Sequence, residues 1–188
     1  MRRAAVALLI TITAACGHSS GTVSPSTWAN RLCTDLGSWL STVQAGADQL
    51  RRAQAGATSL EQARSHLVDY LEVAVAATDR LLDANKKEGV PDVADGKALA
   101  GELRSSVEKT KAVFEQGRAT ARRLPTSDVN AYRTQAQALS TDIAAAGKDL
   151  QASVSGATKR YRSATIDQAL REQPACRRLG AGTGTGSL

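Results

Sequence analysis

Apolar positions along this chain fall into four long series, each stepping by three or four residues. The first runs Trp28, Leu32, Leu36, Trp39, Val43, Ala47 and Leu50, a spacing that keeps every member on one face of a helix. Ser24-Pro25-Ser26-Thr27 supplies cap hydroxyls and a proline suited to the first turn, and Gly56 is placed to stop the helix. Thr58-Ser59-Leu60-Glu61 has the form of a capping box, ahead of Leu60, Ala63, Leu67, Leu71, Ala74, Thr78 and Leu81; Gly89 and Pro91 close this second helix. A third is predicted from about Asp92 to Leu124, with Leu99, Leu103, Val107, Thr110, Phe114, Gly117, Ala121 and Leu124 on its stripe. Pro125 cannot continue the hydrogen-bond ladder. Thr126, Ser127 and Asp128 are candidate caps for a fourth, whose stripe runs from Tyr132 through Leu139, Ile143, Leu150 and Val154 to Ala164.

Four long stripes, short polar connections and no strand-like alternation predict an all-α chain, an antiparallel up-down-up-down four-helix bundle. A short C-terminal helix is expected around Ile166 to Gln173, stopped by Pro174. The glycine-rich end, 180–188, is expected to be a disordered tail. The bundle domain itself is placed at 26–179.

The N-terminus follows a different pattern. Met1-Arg2-Arg3 is a short basic start, Ala4 to Ile12 an apolar run, and Thr13-Ala14-Ala15 a small-residue exit into Cys16. These are the three parts of an export signal, and the run falls short of the roughly 20 residues a membrane span needs. Thr13-Ala14-Ala15-Cys16 resembles the bacterial lipobox, whose cysteine receives a diacylglycerol (palmitate) anchor, and composition and signal together resemble the small secreted lipoproteins of actinobacteria. That likeness implies a signal peptide at 1–15, lipidation of Cys16 and attachment to the outer face of the cell membrane. Thr13 stands where the lipobox prefers Leu; cleavage by an ordinary signal peptidase would instead leave Cys16 as a free thiol. Gly17 to Ser24 is small and polar, suited to a flexible tether, so 16–25 is expected to be a lipidated linker.

Cys33 and Cys176 remain, near the two ends of the mature chain. In an oxidising compartment such a pair is expected to form a disulfide, the alternative being two buried thiols. In an up-down-up-down bundle the start of the first helix and the end of the fourth lie together, so the pair can meet. The closed loop, about 144 residues, would stabilise by on the order of 5 kcal/mol on chain-entropy grounds.

Charge and chemistry narrow the function classes. The net charge is +6, and loss of Arg2 and Arg3 with the signal lowers it. Only 3% of residues are aromatic, and no concentrated basic stripe stands ready for nucleic acid. Arg51-Arg52, Lys86-Lys87 and Arg122-Arg123 each fall near a predicted helix C-terminus, where cations complement the helix dipole. His18 lies in the tether and His66 beside the second stripe; the residue three before His66 is Ala63 rather than a di-iron glutamate. With one imidazole in the body, a nucleophile–base pair has little support. Asp83, Glu88, Asp92 and Asp95 cluster near one connection, where helix ends and solvated loops account for them. Trp28 and Trp39 share a stripe and are expected in the core. No catalytic, cofactor or metal residues are expected. The chain reads as a non-enzymatic, lipid-anchored binding or scaffold module with an envelope protein partner. A small-ligand sensor with a slot beside Trp28 and Trp39, or an enzyme using convergent carboxylates, are the alternatives.

Overall fold

The computed structural model describes residues 21–182 of the chain. In chain order the elements are β1 (Thr22–Val23), α1 (Pro25–Ala55), α2 (Leu60–Glu88), β2 (Val90–Pro91), α3 (Gly96–Ala121), α4 (Val129–Arg160), α5 (Ala164–Glu172) and α6 (Pro174–Gly182). The described residues are all-α apart from one minimal strand pair. The signal region, Cys16 and the first part of the tether, together with 183–188, lie outside the described residues.

Helix starts follow side-chain capping. Ser24 accepts a hydrogen bond from Thr27 N, and Asp128 accepts from Asn130 N and Ala131 N, satisfying donors that the first helical turn leaves free. At α2 the box lies one residue later than predicted. Ser59 is the cap, accepting from Gln62 N, while Gln62 Oε1 accepts from Thr58 N. Gln62 therefore does what the sequence pattern suggested for Glu61.

α1 packs on α2, α2 on α3, α3 on α4 and α5 on α6, and both α5 and α6 pack on α1. The polar contacts join the start of one helix to the end of the next. Arg31 Nη1 donates to the Glu88 carbonyl and Gln54 Nε2 to the Ala63 carbonyl, fixing both ends of the α1–α2 pair. Arg64 Nη1 donates to the Leu124 carbonyl, and Arg160 pairs with Glu102 at 2.8 Å. Between these ends the apolar core is built in layers. One cluster combines Trp28, Ala29 and Leu32 with Leu99, Leu103, Ala157, Ile166 and Ala169. Another combines Leu71, Ala74, Val75, Phe114, Ala121 and Leu139, with Trp39 and Val43 packed on it.

Two expectations about the chain's ends are corrected. Strand pairing, absent from the sequence pattern, occurs as a parallel two-residue bridge, Thr22 beside Val90 and Val23 beside Pro91. The segment from 22 onward, assigned to the tether, is thus held against the body, and Val23 packs on the Trp28 cluster. Because Asp92 N donates to Val23 O and Val93 N to Pro91 O, 90–95 cannot be helical, and α3 begins at Gly96 rather than near Asp92. Gly96 has no room for a side chain, since a Cβ there would lie 2.0 Å from the Pro91 carbonyl oxygen. At the other end, Pro174 starts a helix instead of ending the structure. A proline at the first helical position gives up a donor that has no partner there, and α6 carries the backbone to Gly182, past the expected start of the tail.

Cys33 and Cys176 are joined, with sulfurs 2.06 Å apart and a sequence separation of 143. The bridge runs from α1 to α6, which meet because α5 and α6 fold back over α1. Replacing both cysteines by serine is expected to lower stability, with about 5 kcal/mol as the ceiling set by loop length. Urea unfolding of oxidised and double-serine chains checks this; an unchanged midpoint would show that α6 docks without help from the crosslink.

Candidate functional site

The acidic residues that the sequence places around the α2–α3 connection separate in space. Asp83 is exposed and paired with Lys86 at 3.0 Å; that hydrogen bond and charge hold its carboxyl below the usual range. Asp92 and Asp95 are also exposed. Glu88 alone turns inward and is 3% accessible. Continuing the α2 stripe by the same steps, Leu81 is followed by Asn85 and then Glu88, so the inward face carries polar residues into the last turn.

Glu88 meets groups from three helices. From α1, the Asp35 carboxyl lies within hydrogen-bonding reach and Arg31 contributes a positive charge; from α3, Arg104 contributes another. From its own helix, Asn85 with its amide nitrogen turned toward the acid donates to Oε2 at 2.8 Å and to Oε1 at 3.0 Å. Arg31 Nη1 donates to the Glu88 main-chain oxygen at 3.2 Å. Arg104 Nε is buried with no hydrogen-bond partner among the described residues. Burial, then the charge of Asp35 and its hydrogen bond, push the Glu88 carboxyl up to about 8, against the opposing pull of Arg31 and Arg104. Desolvation wins because a carboxylate out of water loses more than partial charge pairing returns. At neutral pH the acid is therefore mostly protonated and can donate to Asp35.

The backbone beside this cluster is equally constrained. Gly89 has φ of 82°, and a Cβ there would lie 2.6 Å from Gly21 O. Only glycine accommodates both the left-handed turn and the close approach of the N-terminal arm. Glu88 thus sits one residue from the point where the chain entering from the N-terminus touches the body.

The tryptophans and the histidine weighed in the sequence fall elsewhere. Trp28 is 1% exposed in the core, and Trp39 Nε1 donates to Thr78 Oγ1 at 3.0 Å. Neither lines either of two surface grooves. One groove, about 90 Å³, lies between α1 and α2 and includes Gly46, His66 and Tyr70. His66 Nδ1 there is buried without a partner among the described residues. The other, about 360 Å³, lies between α1 and α6 beside Cys33. Among the described residues no group of three or more His, Cys, Asp or Glu is arranged to hold a metal ion. Asp35, Arg31 and Arg104 were not singled out by the sequence, because a stripe marks which face is inward but not which facing helices bring charges to one point.

A raised carboxyl pKa has a definite sign. The folded chain holds a proton that the unfolded chain gives up near 4.5, so the Glu88 contribution is complete below that pH. It is lost as pH rises toward 8, with a ceiling of about 5 kcal/mol. Glu88→Gln keeps shape and neutrality, so its melting temperature should fall less than wild type between pH 5 and pH 8.5. Identical pH profiles in calorimetry would mean that Glu88 is not the buried acid. Compared with known proteins, the chain matches no family model, no curated protein and no solved structure.

Proposed function

We propose that the mature protein is a lipid-anchored, non-enzymatic binding or scaffold module on the outer face of the cell membrane. Its four long helices are read as an up-down-up-down bundle clasped by α5 and α6, and an envelope protein is the intended partner. The observation that carries this reading is the Cys33–Cys176 bond. Such a long-range crosslink is at home in an oxidising, extracytoplasmic compartment, where the basic start, apolar run and small residues before Cys16 would deliver the chain. Among the described residues no helix is long and apolar enough to cross a membrane, so attachment would fall to Cys16.

Binding is favoured over catalysis by the surroundings of Glu88. Its polar neighbours are side chains of its own fold, and neither groove is lined by any of them. The layered core gives a rigid body whose helix faces are available for a partner. The α1–α2 groove, where His66 Nδ1 has no partner among the described residues, favours a second reading as a small-ligand sensor.

Cys16→Ser should shift the protein from the membrane fraction to the soluble fraction and abolish labelling by a fatty-acid analogue. Membrane association that survives this change would rule out the lipid anchor. His66→Ala should leave both folding and rescue of a deletion strain intact. A folded His66→Ala protein that fails to rescue would instead favour the ligand-sensor reading and direct attention to its groove.

A further inference from the structure

The buried acid and the incoming arm meet at one place, and their geometry couples them. Glu88 ends α2; its carbonyl accepts from Arg31, and the next residue, Gly89, lies against Gly21. Immediately beyond, Val90 N donates to Gly21 O at 3.4 Å and Asp92 N donates to Val23 O at 2.9 Å. These bonds, with the packing of Val23 on the Trp28 cluster, hold the arm to the body. Both hydrogen bonds depend on where the last turn of α2 delivers the chain. That turn is fixed on the inside by Glu88 between Asp35, Asn85, Arg31 and Arg104.

We propose that the Glu88–Asp35 pair is a proton-operated latch that holds the N-terminal arm against the body when the proton is shared and releases it when the proton is lost. In the closed state, neutral Glu88 donates its proton to the Asp35 carboxylate and accepts from Asn85. Loss of the proton places two carboxylates side by side in a poorly hydrated site. Arg31 is exposed, and Arg104, whose buried Nε has no partner among the described residues, already contributes its charge at this point, so closer pairing requires a guanidinium to move. The available relief is to swing Glu88 toward water, unwinding the last turn of α2. That displaces Gly89 and Val90 and withdraws the partners of Gly21 and Val23. The core farther back along α2, built from Leu71 to Leu82, takes no part. On the high side of neutrality the arm comes free, and on the low side it is held.

The latch stands on the described residues alone and does not require a lipid. Its consequence for the distance between body and membrane rests on the anchored reading proposed above. Failure of the Cys16→Ser experiment would remove that consequence and leave the latch untouched.

Nuclear Overhauser effects in the oxidised mature chain provide the test. Cross-peaks between Val23 and Pro91 should be present at about pH 6 and absent by about pH 9, with cross-peaks among Leu71, Phe114 and Leu139 unchanged. In Glu88→Gln the Val23–Pro91 cross-peaks should persist across the range. Asp35→Asn, which leaves an ionised Glu88 facing amides and guanidiniums, should also retain them, and it serves if the glutamine variant does not fold. Three results would overturn the latch. The first is Val23–Pro91 cross-peaks that persist to high pH in the wild type. The second is their disappearance at high pH in both variants just as in the wild type. The third is simultaneous disappearance of the core cross-peaks, which would indicate unfolding of the whole domain.

Discussion

The apolar cluster around Trp28 joins α1, α3, α4 and α5 at a single point, through Leu99, Leu103, Ala157 and Ile166. A buried indole of this size removes a large apolar area from water and sets how closely the surrounding backbones can approach. The small Ala29, Ala157 and Ala169 beside it let three helices come near enough to cover the ring. Val23 reaches the same cluster, so the arm, the α2–α3 connection and the C-terminal helices are all positioned by it. The disulfide one turn along α1 reinforces this end by linking α6 to the helix that carries Trp28.

Polar groups are handled differently at the two ends of α2. At its start, Arg64 reaches the carbonyl of Leu124, a backbone group left over by the end of a neighbouring segment. At its end, an acid is taken inside with only partial compensation. A buried carboxyl without a full set of partners costs several kcal/mol as an anion, and the least costly solution is to keep the proton. The surface ion pairs, such as Arg122 with Glu72 at 2.7 Å and Lys111 with Asp79 at 2.6 Å, tie adjacent helices together. Their exposure limits each to a small contribution.

Burial along the helices shows where tertiary cover is complete. All eight positions of the third stripe, seven on α3 and Leu124 just beyond it, are buried. On α1 the buried residues are Trp28, Ala29, Leu32 and Cys33, all in the first part of the helix. Leu36, Trp39, Val43, Ala47 and Leu50 are only half-covered, because α5 and α6 are short and shield the beginning of α1 alone. The half-covered part leaves the shallow groove beside Tyr70, whose ring lies so close to Gly46 that a Cβ there would be 3.2 Å from Cδ2.

Local patterning by itself determined the helices, their inward faces and most of their ends, because step size and capping act within a few residues. It also pointed to Cys33 and Cys176 as the expected pair, and these two are joined. Only the tertiary structure decided that Pro174 begins a helix, since α6 is stable there by docking on α1 and bonding through Cys176. It alone decided that Thr22 and Val23 pair with Val90 and Pro91, for a two-residue bridge has no periodic signal. The inward position of Glu88 could be extrapolated from the α2 stripe, but its meeting with Asp35 and Arg104 could not. Those residues lie on separate helices, and whether a carboxyl keeps its proton depends on the dielectric and charges that packing assembles around it.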